Sequence, residues 1–162
     1  MSVDTAMPNL PAPGLELVYR TSVEVGKPIE LGDFGDGRRR IVPVHGEGLL
    51  EGPLIRGRLL AETVDWQVTR PDGVTVVDAR YAIETDDGIV IDVRNRGVRR
   101  GPASVLQRIA AAETVHPSEY YFRTVPQFTA PPGRYEWMNQ SVFVCSGARS
   151  ASRVYLAAWR VR

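Results

Sequence analysis

Short runs of alternating apolar and polar residues, separated by turn signals, make up most of this chain. A period of two residues is typical of β-strands, because successive side chains point to opposite faces of a sheet. Pro71-Asp72-Gly73 and Asp86-Asp87-Gly88 are strong turn signals, since proline presets φ and glycine tolerates a positive φ. Strand and tight turn alternate at intervals of about 12 residues, so the pattern predicts an antiparallel meander.

The predicted strands cover most of the chain after residue 14. They span residues 15–25, 39–46, 55–70, 74–85, 89–93, 120–125, 135–145 and 153–161. Pro43 favours an edge or bulged position, because proline has no N–H to donate to a ladder. Asn95-Arg96-Gly97 predicts a further turn, and the small polar residues 146–152 predict a loop.

One helix interrupts the strands. Its apolar stripe has helical spacing and consists of Val105, Leu106, Ile109 and Ala110. Pro102 suits the first turn, and the helix is expected to end near residue 112 or 113. Many antiparallel strands with one short α-helix predict an all-β protein, a closed meander β-barrel, because closure removes exposed strand edges. We expect residues 15–162 to form a single domain behind a flexible arm at residues 1–14.

Composition and charge exclude several classes of function. The 162 residues carry a formal net charge of +1, which gives no global electrostatic case for binding nucleic acid or an anionic membrane. Cys145 is the only cysteine, and no zinc-ligand spacing, P-loop or dinucleotide fingerprint occurs, so we expect no disulfide, metal or cofactor. The chain lacks a run of about 18 apolar residues and a signal-peptide pattern, so we expect no membrane span and a cytoplasmic protein.

Alternation also gathers polar side chains on one face of several strands. Asp65 shares a face with Thr63 and Gln67, opposite Trp66. Other such sets are Asp78 with Arg80, Tyr121 with Arg123, and Trp137 with Asn139 and Ser141. Faces that meet inside a barrel form a site, whereas faces that point outward are only a solvated exterior. Alternation alone does not decide between the two.

The candidate residues for proton transfer are Asp65, Tyr121 and His45, which stands at a strand end. Arg80 and Arg123 are candidates for a bidentate grip on a ligand carboxylate, because a guanidinium fork matches that group. The structural alternative is that these arginines pair with an aspartate such as Asp65 and link two strands.

Aromatic and amide side chains complete the candidate site. Trp66 and Trp137 are candidates for stacking on a ligand ring, although large aromatic residues more often fill a core. Asn139 is a candidate for orienting a ligand carbonyl, and its alternative is a structural amide of the barrel.

A series of motifs carries a resemblance to a known family. In order they are His45-Gly46, Glu51-Gly52-Pro53-Leu54, Asp65-Trp66-Gln67, Asp78-Ala79-Arg80-Tyr81, Asp87-Gly88, residues 120–124 and Tyr135-Glu136-Trp137-Met138-Asn139. Their order and spacing resemble domain-of-unknown-function family 3237, also called UPF-0311, over nearly the whole chain. The resemblance implies an antiparallel barrel of lipocalin-like proportions with an internal cavity, often assembled into homo-oligomers. Some relatives resemble cofactor-independent enzymes that act on small aromatic or natural-product acids.

The chain departs from the family pattern at three places. Thr129 follows Phe128 where the family usually carries a glutamate. Glu47 replaces a glycine, and Ala61-Glu62 replaces a Gly-Gly pair. This chain therefore lacks any family acid or base that stands at that glutamate position.

Two functions remain open from the sequence. The first is a cofactor-independent lyase, decarboxylase or isomerase that acts on a small carboxylated aromatic or natural-product compound. In it an arginine holds the carboxylate, Asp65 and Tyr121 move protons, and a tryptophan stacks on the ring. The alternative is a non-catalytic ligand-binding or structural oligomeric barrel.

Overall fold

The computed structural model describes residues 7–60 and 62–162. Its strands are β1 (Leu15–Glu24), β2 (Ile29–Asp33), β3 (Arg38–Val44), β4 (Leu49–Glu51), β5 (Gly57–Leu59), β6 (Thr63–Thr69), β7 (Thr75–Thr85), β8 (Val90–Arg100), β9 (Tyr121–Thr129), β10 (Val142–Arg149) and β11 (Arg153–Val161). Helix α1 (Ala103–Ala110) follows β8, and short 3-10 helices span Pro117–Glu119 and Glu136–Gln140.

The strands pair antiparallel and close into a barrel. Eight of them form the ring in the order β7-β5-β4-β1-β11-β10-β9-β8, and β8 returns to β7. The wall divides at β7, because β6 pairs with its first half and β5 with its second half. Beyond β6 the sheet continues through β3 to β2, and a bridge between Val25 and Val44 joins β3 to the chain just after β1. The predicted all-β barrel with one helix is confirmed.

The predicted turn at Asn95-Arg96-Gly97 is wrong. Strand β8 runs straight through it, with Asn95 opposite Ala79 on one side and Pro126 on the other. Glycine is needed at position 97 for another reason. A Cβ there would lie 2.1 Å from the carbonyl oxygen of Arg123, so Gly97 allows β8 and β9 to approach closely.

Several other predicted boundaries differ from the structure. The strand predicted at 135–145 begins only at Val142, because residues 136–140 form a 3-10 helix, and β10 then extends into the predicted loop. The strand predicted at 55–70 divides into β5 and β6, and residue 61 between them lies outside the described residues. Strands β2 and β4 were not predicted. Of the predicted arm, residues 7–14 carry no helix or strand, and residues 1–6 lie outside the described residues.

The barrel is filled unevenly along its axis. At one end, which we call the packed end, buried side chains such as Ile83, Ile91 and Met138 form a hydrocarbon cluster. In that cluster the ring of Phe128 meets Phe143 edge-on, with centroids 4.8 Å apart. A smaller cluster at the opposite end packs α1 residues against β9 and the segment before it, and consists of Val77, Val105, Ile109, Val115, Tyr120 and Phe122. We call this opposite end the helix end.

Candidate functional site

A cavity of about 70 Å³ lies inside the barrel between the two clusters. One water molecule needs about 10–15 Å³ by the same measure, so the cavity has room for a small organic group. Its walls are mostly apolar, with side chains such as Val42 and Val77. Thr63, Asp65 and Gln67 also line it, so β6 turns its polar face toward the interior.

Asp65 is held by two hydrogen bonds. The side-chain amide of Gln67 donates to its Oδ2 at 2.6 Å, and the backbone N–H of Asp78 donates to its Oδ1 at 3.0 Å. Gln67 in turn accepts a 2.8 Å hydrogen bond from Nε of Arg40. Burial raises the pKa of the Asp65 carboxyl, although the two hydrogen bonds and the charges of Arg99 and Arg149 act against that rise. A carboxylate whose pKa is raised is a stronger base, which suits it to accept a proton from a bound molecule.

Four buried polar atoms that line the cavity have no hydrogen-bond partner within residues 7–60 and 62–162. They are Oη of Tyr19, Oδ1 of Asn95, Oγ1 of Thr124 and Nη1 of Arg149. The four residues belong to different strands, namely β1, β8, β9 and β10. The Tyr81 hydroxyl lies near Oη of Tyr19 and Oδ1 of Asn95, and the Cys145 thiol lies near Oγ1 of Thr124, but none of these contacts has the geometry of a good hydrogen bond. Because buried polar groups in folded proteins are normally hydrogen-bonded, these atoms can exchange such contacts for a bound molecule.

Two tyrosines share the interior with Asp65. Burial raises the pKa values of both Tyr19 and Tyr81, so their hydroxyls stay protonated and can donate hydrogen bonds. Cys145 is fully buried nearby, and burial raises its pKa to about 12. Its thiol is therefore a poor nucleophile.

Four arginines lie at the helix end of the barrel. Arg38, Arg40, Arg99 and Arg149 line a crevice of about 710 Å³ beside α1, and Arg149 also lines the interior cavity. Arg99 is only 6% exposed, with its guanidinium carbon 5.6 Å from the ring centre of Phe122. Burial, together with repulsion from Arg149 and Arg40, lowers the pKa of Arg99 to about 10. At neutral pH the guanidinium of Arg99 remains charged.

The structure does not bring Arg80, Arg123 and Tyr121 together with Asp65. Arg80 is on the outer wall, where Nη2 lies 2.9 Å from Oδ2 of Asp92. Arg123 and Tyr121 are exposed on the outside of β9 and stack on each other at 5.3 Å. These three residues therefore lie outside the lumen that Asp65 lines, because the inward positions of β7 and β9 are occupied by their neighbours along the chain.

The remaining predicted site residues also lie outside the cavity. Trp66 is 53% exposed on the outer face of β6. Trp137 packs against Phe143 near the packed end, and the amide of Asn139 exchanges two 2.8 Å hydrogen bonds with the backbone of Ala130. Nδ1 of His45 lies 3.7 Å from a carboxylate oxygen of Glu62, with His45 half-buried and Glu62 exposed. Of the predicted site residues, Asp65 alone lines the interior.

Sequence reasoning missed several residues that build the site. They are Tyr19, Tyr81, Asn95, Arg99, Thr124 and Arg149. A signal existed for Gln67, which shares the face of Asp65. Nothing in the sequence indicated that Asn95 and Arg149 belong to the site, because local patterns place Asn95 in a turn and Arg149 in a loop.

Metal-ligating groups are not clustered in the described part of the chain, where no three His, Cys, Asp or Glu side chains could hold an ion together. Among the same residues, none of the helices has the length and apolar character needed to cross a membrane.

Comparison with known proteins gives one consistent family. Residues 13–161 match the family described as "Protein of unknown function (DUF3237)". The chain is 40% identical over 139 residues to UPF0311 protein RPA1785 of Rhodopseudomonas palustris, covering 86% of this chain and 90% of that protein. The crystal structure of RPA1785 superposes with a TM-score of 0.89 at 37% identity, over 94% of this chain and all of that one.

Two further solved structures have a similar fold. A β-barrel-like protein from Acinetobacter baumannii has a TM-score of 0.82 at 37% identity, covering 96% of this chain and 100% of that one. A protein from Penicillium herquei described as an enzyme has a TM-score of 0.69 at 19% identity, with 96% and 100% coverage. At that identity the likeness concerns the fold alone.

Proposed function

Since the chain belongs to the DUF3237 family of β-barrel proteins, we propose that it binds a small organic compound inside the barrel and acts as a cofactor-independent enzyme. The observation that carries the proposal is the set of four buried polar atoms that lack a well-formed hydrogen bond around one mostly apolar cavity. Apolar walls with a few convergent polar groups are the usual composition of a small-molecule site.

The two tyrosines supply the electrostatic part of the chemistry. Tyr19 and Tyr81 remain protonated and donate hydrogen bonds to a carbonyl oxygen of the ligand. As that oxygen gains negative charge in an enolate-like transition state, the same hydrogen bonds strengthen. The side-chain carbonyl of Asn95, which forms no well-formed hydrogen bond of its own, accepts one from a ligand hydroxyl or N–H beside it.

Asp65 supplies the proton transfer. In its ionised form it removes a proton from the carbon next to the carbonyl, and the neutral carboxyl returns a proton to that carbon or to a neighbouring one. The hydrogen bonds from Gln67 and Asp78 fix the carboxyl in place. This chemistry suits an isomerase, a decarboxylase or a lyase that passes through an enolate.

Proton exchange with solvent tests the proposal directly. Small aromatic β-keto acids and their neutral methyl ketones are incubated with the protein in D2O, and loss of the α-proton signal is followed by NMR. Thermal shifts measured in parallel report binding. We expect wild type to bind and to exchange the α-proton, and Asp65→Asn to bind but exchange at least about 100-fold more slowly.

Arg80→Ala is the matched surface control, and we expect it to behave as wild type. Binding without exchange for every compound would make the barrel a non-catalytic binding protein and overturn the enzymatic part. Exchange by Asp65→Asn at the wild-type rate would remove Asp65 from the mechanism.

A further inference from the structure

Two arginine side chains at the helix end of the barrel lack an acidic partner. Within the described part of the chain, neither Arg99 nor Arg149 forms an ion pair, whereas most arginines on the outer wall do. Arg99 is more than nine-tenths buried, and Nη1 of Arg149 is buried without a hydrogen-bond partner. Buried charges are costly unless they are paired, so this pair is unusual for a purely structural element.

The neighbouring charges make the imbalance larger. Arg38 and Arg40 face the same crevice from β3, while Asp65 is, among the described residues, the carboxylate whose charge acts on both Arg99 and Arg149. Nε of Arg40 donates a hydrogen bond to the side chain of Gln67. Both oxygens of Asp65 already accept hydrogen bonds, one from Gln67 and one from the backbone of Asp78. Four arginines thus lie around a single carboxylate, which already accepts hydrogen bonds from Gln67 and Asp78.

We propose, resting on the function above, that Arg99 and Arg149 form the subsite for a carboxylate group of the ligand. A guanidinium fork presents paired N–H donors that match the two oxygens of a carboxylate. Arg149 lines both the crevice and the interior cavity, so an anion held there lies where the two spaces meet. The substrate class is therefore a small organic acid whose reactive part enters the interior cavity.

The ring of Phe122 restricts the shape of this acid. Phe122 lines the cavity beneath the guanidinium of Arg99, and Gly147 leaves room for it, since a Cβ at position 147 would lie 2.6 Å from the ring. The fixed ring leaves a flat surface next to the arginines. A planar carboxylate on an aromatic or conjugated acid fits beside that surface.

The test compares an acid with its neutral isostere. Affinities of benzoate, benzamide and phenyl phosphate are measured by calorimetry for wild type, Arg99→Gln, Arg149→Gln and the exposed control Arg123→Gln. We expect wild type and Arg123→Gln to prefer benzoate to benzamide. We expect benzoate to bind about 10- to 100-fold more weakly to each buried-arginine variant, with benzamide unchanged.

Each other outcome has a defined meaning. Equal affinity of wild type for benzoate and benzamide, or an equal effect of Arg123→Gln and Arg99→Gln, overturns the carboxylate subsite while leaving the proposed function in place. If phenyl phosphate binds more tightly than benzoate, the subsite prefers a phosphate group to a carboxylate, and the proposed substrate class is overturned. Failure of every compound to bind overturns both proposals.

A measurement on wild type alone guards against variants that do not fold. If the two guanidiniums hold the carboxylate, benzoate binding weakens as sodium chloride rises, whereas benzamide binding stays constant. Identical salt dependence for the two compounds contradicts the subsite.

Discussion

The side-chain amide of Gln67 donates a 2.6 Å hydrogen bond to Oδ2 of Asp65. The same side chain accepts a hydrogen bond from Arg40, so a neutral residue separates a cation from an anion and orients both. Gln67 is 3% exposed. Its position explains how Asp65 remains in place without a direct ion pair.

Replacing Gln67 tests this bridging role. Gln67→Leu removes both hydrogen bonds and leaves two charged groups without this partner, so we expect a loss of about 1–3 kcal/mol in the free energy of unfolding. Urea denaturation measures the change. Gln127→Leu, at an exposed position of β9, is the matched control and should stay within about 0.5 kcal/mol of wild type. Equal effects of the two substitutions would contradict the bridge.

The pH dependence of stability follows from Asp65. Burial raises its pKa in the folded protein above the ordinary carboxyl value of 3.8. Between pH 3.8 and the raised pKa of Asp65, the folded state keeps a proton that the unfolded chain has lost. The free energy of unfolding therefore falls as pH rises through this window. Asp65→Asn is neutral throughout and lacks that fall. Urea denaturation at several pH values should show the variant gaining relative to wild type as pH rises, and parallel curves would refute this.

Ligand binding at the arginines should be coupled to a proton. The charges of Arg99 and Arg149 lower the pKa of Asp65, and a bound carboxylate offsets those charges, so Asp65 takes up a proton when the ligand binds. Benzoate affinity should therefore decrease as pH rises. Calorimetry in buffers of different ionisation enthalpy should detect proton uptake in wild type and none in Asp65→Asn. Uptake of the same size in that variant would assign the proton to another group.

The close approach of β8 and β9 gives a prediction about stability. A Cβ on residue 97 would lie 2.5 Å from Cα of Thr124, so Gly97→Ala forces the two strands apart. We expect a loss of about 1–3 kcal/mol or more in the free energy of unfolding. Gly14→Ala is the same chemical change at a position with no heavy atom within 4 Å, and it should change stability by about 0.5 kcal/mol or less.

The architecture could be predicted from the sequence because it depends on local signals. Alternation and turn residues located β1, β7 and β11 closely, and an apolar stripe after Pro102 located the helix. Asn95 shows where local signals fail. Asn-Arg-Gly has the composition of a turn, but the glycine serves a contact with Thr124, which is distant in sequence.

The candidate site was less predictable because alternation gives two faces without saying which one is inside. Arg123 and Thr124 are equally consistent with a strand, but in the structure Thr124 points into the barrel and Arg123 points outward. The direction is set by where the whole barrel closes, which involves strands far apart in the chain. Asp65 was identified because a carboxylate beside Gln67 and Thr63 marks a polar face, and that face happens to point inward.

Because the barrel is filled unevenly, different ends of it account for stability and for the polar cavity. Hydrocarbon packed around Ile83 and Phe128 supplies the cohesion that lets the opposite end tolerate crowded guanidinium groups. We therefore expect substitutions among the arginines to change the properties of the helix end while the scaffold persists. Such a division makes the barrel a ready starting point for the divergence of new specificities.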